Sequence, residues 1–180
     1  MIFTETKLKG AFVIEIDKII DERGFFGRAW CEREMKQFGL NTNIKQTNVS
    51  FNTKKGTLRG MHYQVSPFQE TKLVSCSRGG IYDVIIDLRM DSPTYKQWIG
   101  LELNQNNYKM LYIPEGFAHG FITLEDNTEI HYLMTEFYNP EAGRITRWDD
   151  TAFNIKWPIK PLLMSEKDRN APDYKYLNQD

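Results

Sequence analysis

Short β-type segments recur along the chain, and their regular spacing is the feature that most limits how it can fold. Runs rich in β-branched and aromatic residues follow one another about every ten residues, with Pro, Gly, Asn or Asp in the turns between them. Such spacing is typical of a sandwich, a jelly roll or a barrel. The predicted strands lie within 11–20, 43–52, 57–64, 72–89 (two runs), 98–104, 109–114, 118–125 and 128–138.

One helix is predicted, within residues 31–40. Met35 and Phe38 can share one face of it, and Gly39 is a suitable C-terminal stop. From Trp148 onward the chain is rich in Pro, Asp and Lys, and we expect it to wrap on the barrel as irregular or short-helical structure. No internal repeat or interdomain linker interrupts the chain, so we expect a single domain over residues 1–180.

Composition and charge restrict the partners that this chain can have. It carries 23 Lys and Arg against 24 Asp and Glu, a formal net charge of -1, which argues against nucleic acid and anionic membranes. No apolar run approaches the length of a membrane span, and the first ten residues lack the apolar core of a secretory leader. Cys31 and Cys76 form no CxxC pair. These features predict a protein of the reducing cytoplasm.

The histidines His62, His119 and His131 are too dispersed to form a local metal motif. Cupin metal sites use two histidines separated by one residue, and that pair is missing around His62. We therefore expect no metal and no other cofactor. Arg59 and Lys72 lie near His62 in the sequence and would supply cationic donors to a phosphate or a developing oxyanion.

Other polar residues have two interpretations on the sequence alone. Gln46 and Asn48 share one face of a predicted strand, which is an unusual core face but a natural wall for a polar ligand. His119 is either a hydrogen-bonded core histidine or a ligand contact at the mouth of the barrel. Residues 165–168, SEKD, have the composition of a solvated turn. Taken by themselves, these residues predict an all-β barrel with a polar pocket and leave its reaction open.

A series of distinctive motifs runs along the chain. They are DERGFF (21–26), QTNVSFN (46–52), GTLRGMHYQ (56–64), KLVSCSRGGIYDVIIDLR (72–89), SPTY (92–95), IPEGFAHGF (113–121), HYLMTEFYNP (131–140), RWDD (147–150) and SEKDRNAPDY (165–174). Taken in order, these motifs resemble the dTDP-4-dehydrorhamnose 3,5-epimerase family, a metal-independent branch of the cupin superfamily. The resemblance covers nearly the whole chain and implies a cupin-type jelly-roll β-barrel with short peripheral helices. It also implies a homodimer and a nucleotide-sugar substrate.

The reaction implied by this resemblance inverts C3 and C5 of a dTDP-linked 4-keto-6-deoxyhexose in rhamnose-type deoxysugar biosynthesis. A proton beside a ketone can be removed because the resulting enolate is delocalised, and inversion needs a base on one ring face and an acid on the other. The resemblance makes His62 the base, a role suited to histidine, and Asp168 the carboxylate that orients it. It makes Tyr132 the proton donor and Lys72 the group that stabilises the enolate oxygen.

The resemblance also implies substrate-binding positions. Arg23 and Arg59 match arginines that hold the pyrophosphate, and Arg23 is expected to act in the partner subunit of a dimer. His119 matches a histidine that contacts the sugar, and Tyr138 matches the aromatic residue that stacks on thymine. Gln46, Thr47 and Asn48 match the polar wall near the nucleotide. Lys167 matches one further substrate contact.

Two positions depart from the family pattern. Arg28 stands where the family often has a glutamate. Gly143 stands where many members have a second glutamate, and Arg144 is its neighbour. Both lie in the expected nucleotide environment, and Arg28 is kept as a candidate substrate contact of altered charge. The alternatives left open are a C3-only epimerase on a different sugar nucleotide, a non-catalytic sugar-nucleotide binding protein and a metal-dependent cupin.

Overall fold

The computed structural model of the protein describes residues 1–175, which form thirteen strands and two short helices. The helices are α1 (Glu32–Gln37) and α2 (Glu166–Arg169). The strands are β1 (Ile2–Glu5), β2 (Phe12–Glu15), β3 (Ile19–Asp21), β4 (Gly24–Phe26), β5 (Gln46–Asn52), β6 (Leu58–Gln64), β7 (Lys72–Arg78), β8 (Gly80–Asp87), β9 (Trp98–Asn104), β10 (Met110–Ile113), β11 (Phe117–Thr123), β12 (Thr128–Met134) and β13 (Gly143–Ile145).

Two antiparallel sheets face each other across the main hydrophobic core. The six-stranded sheet has the order β1-β2-β10-β7-β12-β5, the five-stranded sheet has the order β13-β6-β11-β8-β9, and β3 and β4 form a separate hairpin. Val74 and Leu111 of the first sheet pack with Ile85 and Phe121 of the second in one buried cluster. This arrangement is a cupin-like jelly roll, so the predicted fold class is confirmed.

A second cluster covers the outer face of the five-stranded sheet. Met61, Val84 and Ile86 point outward there and pack against Phe153 and Ile155 of the C-terminal segment. Burying each of these side chains stabilises the fold by about 2 kcal/mol. Since β8 is covered on both faces, its sequence is an almost continuous apolar run rather than an alternating one. The predicted wrapping of the C-terminal segment on the barrel is confirmed over the described residues.

Two glycines allow strands β6 and β11 to approach closely at the centre of the five-stranded sheet. A Cβ atom on Gly120 would lie 2.8 Å from the Arg59 carbonyl oxygen and 3.0 Å from the Gly60 Cα, so a larger residue would force the strands apart. The pairing register shifts just after His119, which lies directly opposite His62. The close approach therefore fixes two histidines side by side on the inner wall.

Most predicted strands are present, with differences at their ends. Residues 98–104 form β9 as predicted, whereas the run at 11–20 divides into β2 and β3, and the strand predicted within 128–138 ends at Met134. The short strands β1, β4 and β13 were not predicted. The predicted helix within 31–40 is α1, and its Met35 is buried. Neither α1 nor α2, the two helices within residues 1–175, is long and apolar enough to cross a membrane.

Candidate active site

A histidine and an aspartate from distant parts of the sequence meet at the end of the barrel. His62 Nε2 lies 2.7 Å from Asp168 Oδ1, and the two residues are 106 positions apart. The His62 side chain is 44% exposed and that of Asp168 only 5%. Because an ionised carboxylate only accepts hydrogen bonds, a neutral His62 ring would donate from Nε2 and leave the electron pair of Nδ1 free. This is the arrangement that a general base requires.

The start of α2 holds the Asp168 carboxylate in place. Ser165 caps this helix, its Oγ accepting the Asp168 backbone N–H at 3.0 Å and donating to Asp168 Oδ2 at 2.9 Å. Burial by itself raises the pKa of Asp168, but the contact with His62, the Ser165 hydroxyl and the Gly60 backbone N–H together outweigh it. The pKa of Asp168 is therefore below its ordinary value, and the carboxylate is ionised at neutral pH. The prediction of a solvated turn at 165–168 is wrong, because the cap turns this aspartate inward.

Tyr132 lies on the opposite wall of the barrel. It belongs to β12 in the six-stranded sheet, whereas His62 and His119 belong to the five-stranded sheet. The ring of Tyr132 stands nearly perpendicular to that of His119, with 6.1 Å between their centroids. Since His119 is the cross-strand neighbour of His62, a ligand between the sheets would have His62 on one side and Tyr132 on the other.

The surroundings of Tyr132 keep its phenol protonated. Burial is the main cause that raises the pKa of Tyr132, and the Asp83 carboxylate adds to it. The Arg59 guanidinium and a hydrogen-bond contact with Ser50 act in the opposite direction without cancelling the rise. At neutral pH Tyr132 is therefore a proton donor and not a base.

His119 is the hydrogen-bonded core histidine that its sequence context allowed. Its Nε2 lies 2.7 Å from Asp83 Oδ1, and both side chains are buried. The other carboxylate oxygen of Asp83 is buried without a hydrogen-bond partner among residues 1–175. His119 is thus a hydrogen-bonded core residue, and its ring also packs beside Tyr132 within the barrel.

Lys72 is held by a carboxylate that sequence reasoning did not single out. Its Nζ lies 2.7 Å from Glu70 Oε1, and the two side chains are only 9% and 7% exposed. The second oxygen of Glu70 is buried and makes no hydrogen bond within the described part of the chain. An ammonium group has three donors, so Lys72 can keep this contact and still donate to a ligand oxygen.

Strand β5 supplies the polar wall that was predicted. Gln46 Nε2 lies 3.4 Å from Asn48 Oδ1, which confirms that the two side chains share a face. Gln46 Oε1 also accepts the backbone N–H of Tyr138 at 3.3 Å, although Tyr138 lies in a loop beyond the end of β12. The exposed Tyr138 is therefore brought to the same wall. Thr47 alternates to the opposite face and does not join this group.

The predicted basic residues lie in different places. Arg59 is on β6 and donates from Nε to Asn52 Oδ1 at 2.8 Å. Arg23 is at the turn of the β3–β4 hairpin, where its side chain is 84% exposed and pairs with Asp21. Arg23 therefore does not reach the pocket of its own chain.

Arg28 and Lys167 also lie outside the polar pocket. Arg28 pairs with Glu34 of α1 at 2.6 Å, and the same carboxylate accepts the N-terminal ammonium group at 2.7 Å. Lys167 is exposed on α2, directly before the buried Asp168. Gly143, the second departure from the family pattern, begins β13 and pairs with Gln64. The structure thus gives Arg28 an intramolecular role in α1 docking.

Sequence reasoning missed four polar residues that face the pocket or contact its members. Asp83 had a signal, since a charged residue within an apolar strand needs a buried partner, whereas Glu70 stands before a strand and had none. Asn52 and Ser50 continue the alternation of Gln46 and Asn48 along β5, and that spacing would have found them. Only the fold shows which side chains these four residues contact.

Groups of three or more His, Cys, Asp and Glu side chains that could hold a metal ion do not occur within residues 1–175. Cys31 and Cys76 are both free thiols. Burial is the main cause that raises the pKa of Cys76 to about 11, so its thiol is protonated and unreactive at neutral pH. The titratable side chains described above for the pocket are those of His, Asp, Tyr and Lys.

Comparison with known proteins identifies the family. A family model described as dTDP-4-dehydrorhamnose 3,5-epimerase matches residues 5–176. A dTDP-4-dehydrorhamnose 3,5-epimerase from Methanothermobacter thermautotrophicus is 43% identical over 171 residues, which cover 93% of this chain and 91% of that protein.

Solved structures agree with the sequence match. The dTDP-4-dehydrorhamnose 3,5-epimerase from Elizabethkingia anophelis superimposes with a TM-score of 0.93 at 37% identity, covering 97% of this chain and 96% of that one. The enzyme of that name from Bacillus anthracis, solved with TDP and PPi bound, gives a TM-score of 0.92 at 39% identity, covering 96% and 98%. The chain therefore belongs to the dTDP-4-dehydrorhamnose 3,5-epimerase family of isomerases.

Proposed function

We propose that this protein inverts C3 and C5 of a dTDP-linked 4-keto-6-deoxyhexose in the synthesis of a rhamnose-type deoxysugar. The observation that carries the proposal is the 2.7 Å contact between His62 Nε2 and Asp168 Oδ1, with Tyr132 on the facing wall. Family membership supports the sugar half of the substrate. The TDP and PPi bound by the Bacillus anthracis relative support the nucleotide half.

In this proposal His62 removes the proton and Asp168 stabilises the imidazolium that forms. The C–H bond next to the ketone breaks, its electron pair delocalises onto the ketone oxygen, and Nδ1 of His62 takes the proton. Lys72 donates to the enolate oxygen while it keeps its contact with Glu70. A charge-assisted hydrogen bond in a buried site stabilises such an oxyanion far more than it would in water.

Tyr132 completes the inversion from the opposite face. Its phenol O–H bond breaks as the enolate carbon uses its electron pair to bind the proton. Water then returns a proton to the phenolate, and His62 releases its own to water. The raised pKa of Tyr132, caused mainly by burial, supports the acid role because it keeps the phenol protonated between turnovers.

The nucleotide would bind along β5 and across the open end of the barrel. Gln46 and Asn48 provide amide groups, Tyr138 an exposed ring for the base, and Arg59 a guanidinium for the pyrophosphate. We propose His119 as a sugar contact, and Thr47, Arg28 and Lys167 as outer contacts of the bound nucleotide sugar. Thr47 would act through its main chain, because its side chain faces away.

We also propose that residues 1–180 form one domain and that the protein works as a cytoplasmic homodimer without a metal or cofactor. The hairpin formed by β3 and β4 supports the dimer, since Ile19, Ile20 and Phe26 on it are exposed by 69%, 77% and 74%. Proton transfer between carbon and side chains requires no redox group. Arg23 at the tip of this hairpin would contribute to the partner's site.

Solvent deuterium incorporation tests the proposed reaction. The protein is incubated with dTDP-4-keto-6-deoxyglucose in heavy water, and the sugar is analysed by mass and proton spectra. We expect deuterium at both C3 and C5. Deuterium at C3 alone would favour the C3-only epimerase, and no deuterium at either carbon would contradict the proposal and favour a binding protein or another substrate.

A further inference from the structure

The inner face of β5 carries two polar residues that the proposed reaction does not use. Alternation along the strand places Ser50 and Asn52 on the same face as Gln46 and Asn48. Asn52 is 2% exposed, so its amide group is held by hydrogen bonds within the protein rather than by solvent. A buried amide is costly unless it is satisfied, and its partners therefore define its orientation.

The contact with Arg59 fixes which end of the Asn52 amide donates. Arg59 Nε lies 2.8 Å from Asn52 Oδ1, and a guanidinium group has only donors, so Oδ1 is the acceptor. The amide nitrogen of Asn52 then donates toward Ser50 Oγ at 3.3 Å, with the main-chain oxygens of Ser50 and Thr128 at 3.4 Å. The Ser50 oxygen is thus an acceptor from Asn52, and its O–H proton is left to donate elsewhere.

The next group along this face is the phenol of Tyr132. In the pairing of β5 with β12, Asn48 lies opposite Tyr132, and Ser50 is the neighbouring residue on the same face. A hydrogen-bond contact with Ser50 and the charge of Arg59 both lower the pKa of Tyr132, against the larger effect of burial. Ser50 is therefore the member of this series that contacts Tyr132, and Arg59 and Asn52 stand behind it.

We propose that Asn52 and Ser50 relay the positive charge of Arg59 to Tyr132 and stabilise the phenolate that forms when Tyr132 donates its proton. The inference rests on the proposed function and makes Ser50 and Asn52 positioning residues. When the Tyr132 O–H bond breaks and the new C–H bond forms, the Ser50 hydroxyl donates to the phenolate, and water later returns the proton.

The relay also joins the two walls of the barrel. Arg59 belongs to the five-stranded sheet, whereas Asn52, Ser50 and Tyr132 belong to the six-stranded sheet. Within residues 1–175 the Arg59 guanidinium makes this one hydrogen bond, so its terminal nitrogens stay available for the proposed phosphate contact. One arginine would therefore serve both the nucleotide and the proton donor.

The relay is tested by titrating the phenol at position 132 directly. A fluorinated tyrosine replaces Tyr132, which makes the phenol more acidic, and fluorine NMR follows its ionisation in the full-length protein. Ser50→Ala should raise the pKa of this phenol by about one unit, because a hydrogen bond to the charged form is lost. Ser50→Thr keeps the hydroxyl group and should leave the pKa near that of the parent.

Asn52→Asp tests the direction of the hydrogen bonds in the relay more directly. Aspartate still accepts from Arg59, but it cannot donate to Ser50, so the Ser50 hydroxyl turns toward the new carboxylate and away from Tyr132. We expect the pKa of the phenol to rise here as well. An unchanged pKa in both Ser50→Ala and Asn52→Asp would overturn the relay.

A kinetic readout separates the relay from the proposed function. With unmodified Tyr132, Ser50→Ala should slow net inversion by about tenfold while exchange of the substrate C–H with solvent stays within about twofold. Equal loss of exchange and inversion would contradict the relay and indicate a general structural defect. If the parent protein does not exchange deuterium at all, the proposed function fails, and the titration still decides whether the relay exists.

Discussion

Among single residues, Asp168 links folding and proposed chemistry most directly. Its pKa is below the ordinary value of 3.8 because the contacts with His62, Ser165 and Gly60 outweigh the effect of burial. A carboxylate with a lowered pKa in the folded state contributes stability that is complete above its ordinary pKa and is lost as the pH falls through the lowered value. Acid should therefore remove this contribution to stability as Asp168 becomes protonated.

Asp168→Asn tests this reasoning by removing the charge at nearly constant volume. At neutral pH we expect the variant to have a free energy of unfolding lower by about 1 to 3 kcal/mol, because a buried charge-assisted contact is lost. Urea unfolding measured at a series of pH values through 3.8 and below should show the difference shrinking as Asp168 is protonated in the parent protein. A difference that does not change with pH would mean that Asp168 is not ionised in the native state.

The same variant should affect activity. An asparagine cannot stabilise the imidazolium, and its amide can donate to Nε2 and move the ring proton to Nδ1, the atom that acts as the base. By analogy with other His–Asp pairs, the exchange rate should fall by roughly two to four orders of magnitude.

The proposed site residues differ in how far a sequence could have found them. His62 and Lys72 stand in distinctive motifs, and their assignment followed from resemblance. By composition, Asp168 was expected in a solvated turn, and only the Ser165 cap and the packing of α2 on β6 explain its burial. Glu70 was missed because an isolated carboxylate before a strand has the same composition whether it is solvated or buried.

Among the elements, the hairpin β3–β4 is exposed along its whole length. Exposed Ile20 and Phe26 on it, and exposed Val49 and Phe51 on the edge strand β5, form apolar surface next to unpaired strand edges. Pairing with a second copy would bury this surface. The exposed Arg23 at the tip of the hairpin is then free to enter the partner's site.

Mixing two impaired variants tests whether Arg23 acts across the dimer. His62→Ala should lack the base, and Arg23→Ala should bind substrate roughly tenfold more weakly, as expected for one lost charged contact. In a mixed dimer one site would hold an intact His62 with an intact Arg23 from the partner. Activity at low substrate should therefore rise on mixing and subunit exchange.

If activity after mixing equals the average of the two variants, Arg23 does not act in the partner. Arg33→Ala, which removes an exposed arginine of α1, is the matched control and should behave like the parent protein. Sedimentation of the parent as a monomer would contradict the dimer proposal outright.

The elements themselves were largely predictable from the spacing of apolar runs, because period-two alternation and turn residues are local signals. Their pairing order was not, since β7 lies between β10 and β12 for reasons of packing rather than sequence distance. The shortest strand in the five-stranded sheet, β13, was missed because its three residues exist as a strand only through pairing with β6. Tyr138 was placed in a strand that ends four residues earlier, yet the Gln46 amide holds it by the pocket.

In the whole molecule, two facing sheets separate a base from an acid. Strands β6 and β11 set His62 beside His119 on one wall, β12 sets Tyr132 on the other, and the C-terminal segment returns to place Asp168 behind His62. The resemblance predicted this pairing of roles, and the spacing of the residues alone did not. The barrel brings residues that are far apart in the sequence onto two facing walls of one pocket.

The most direct test of this account is solvent deuterium incorporation into dTDP-4-keto-6-deoxyglucose by the parent protein, His62→Ala and His131→Ala. His131 is the matched control, because it is an exposed histidine on the outer face of β12, where it pairs with Glu129. We expect incorporation at C3 and C5 with the parent and with His131→Ala, and a rate lower by roughly two to four orders of magnitude with His62→Ala. Near-normal incorporation by His62→Ala would contradict the assignment of His62 as the base.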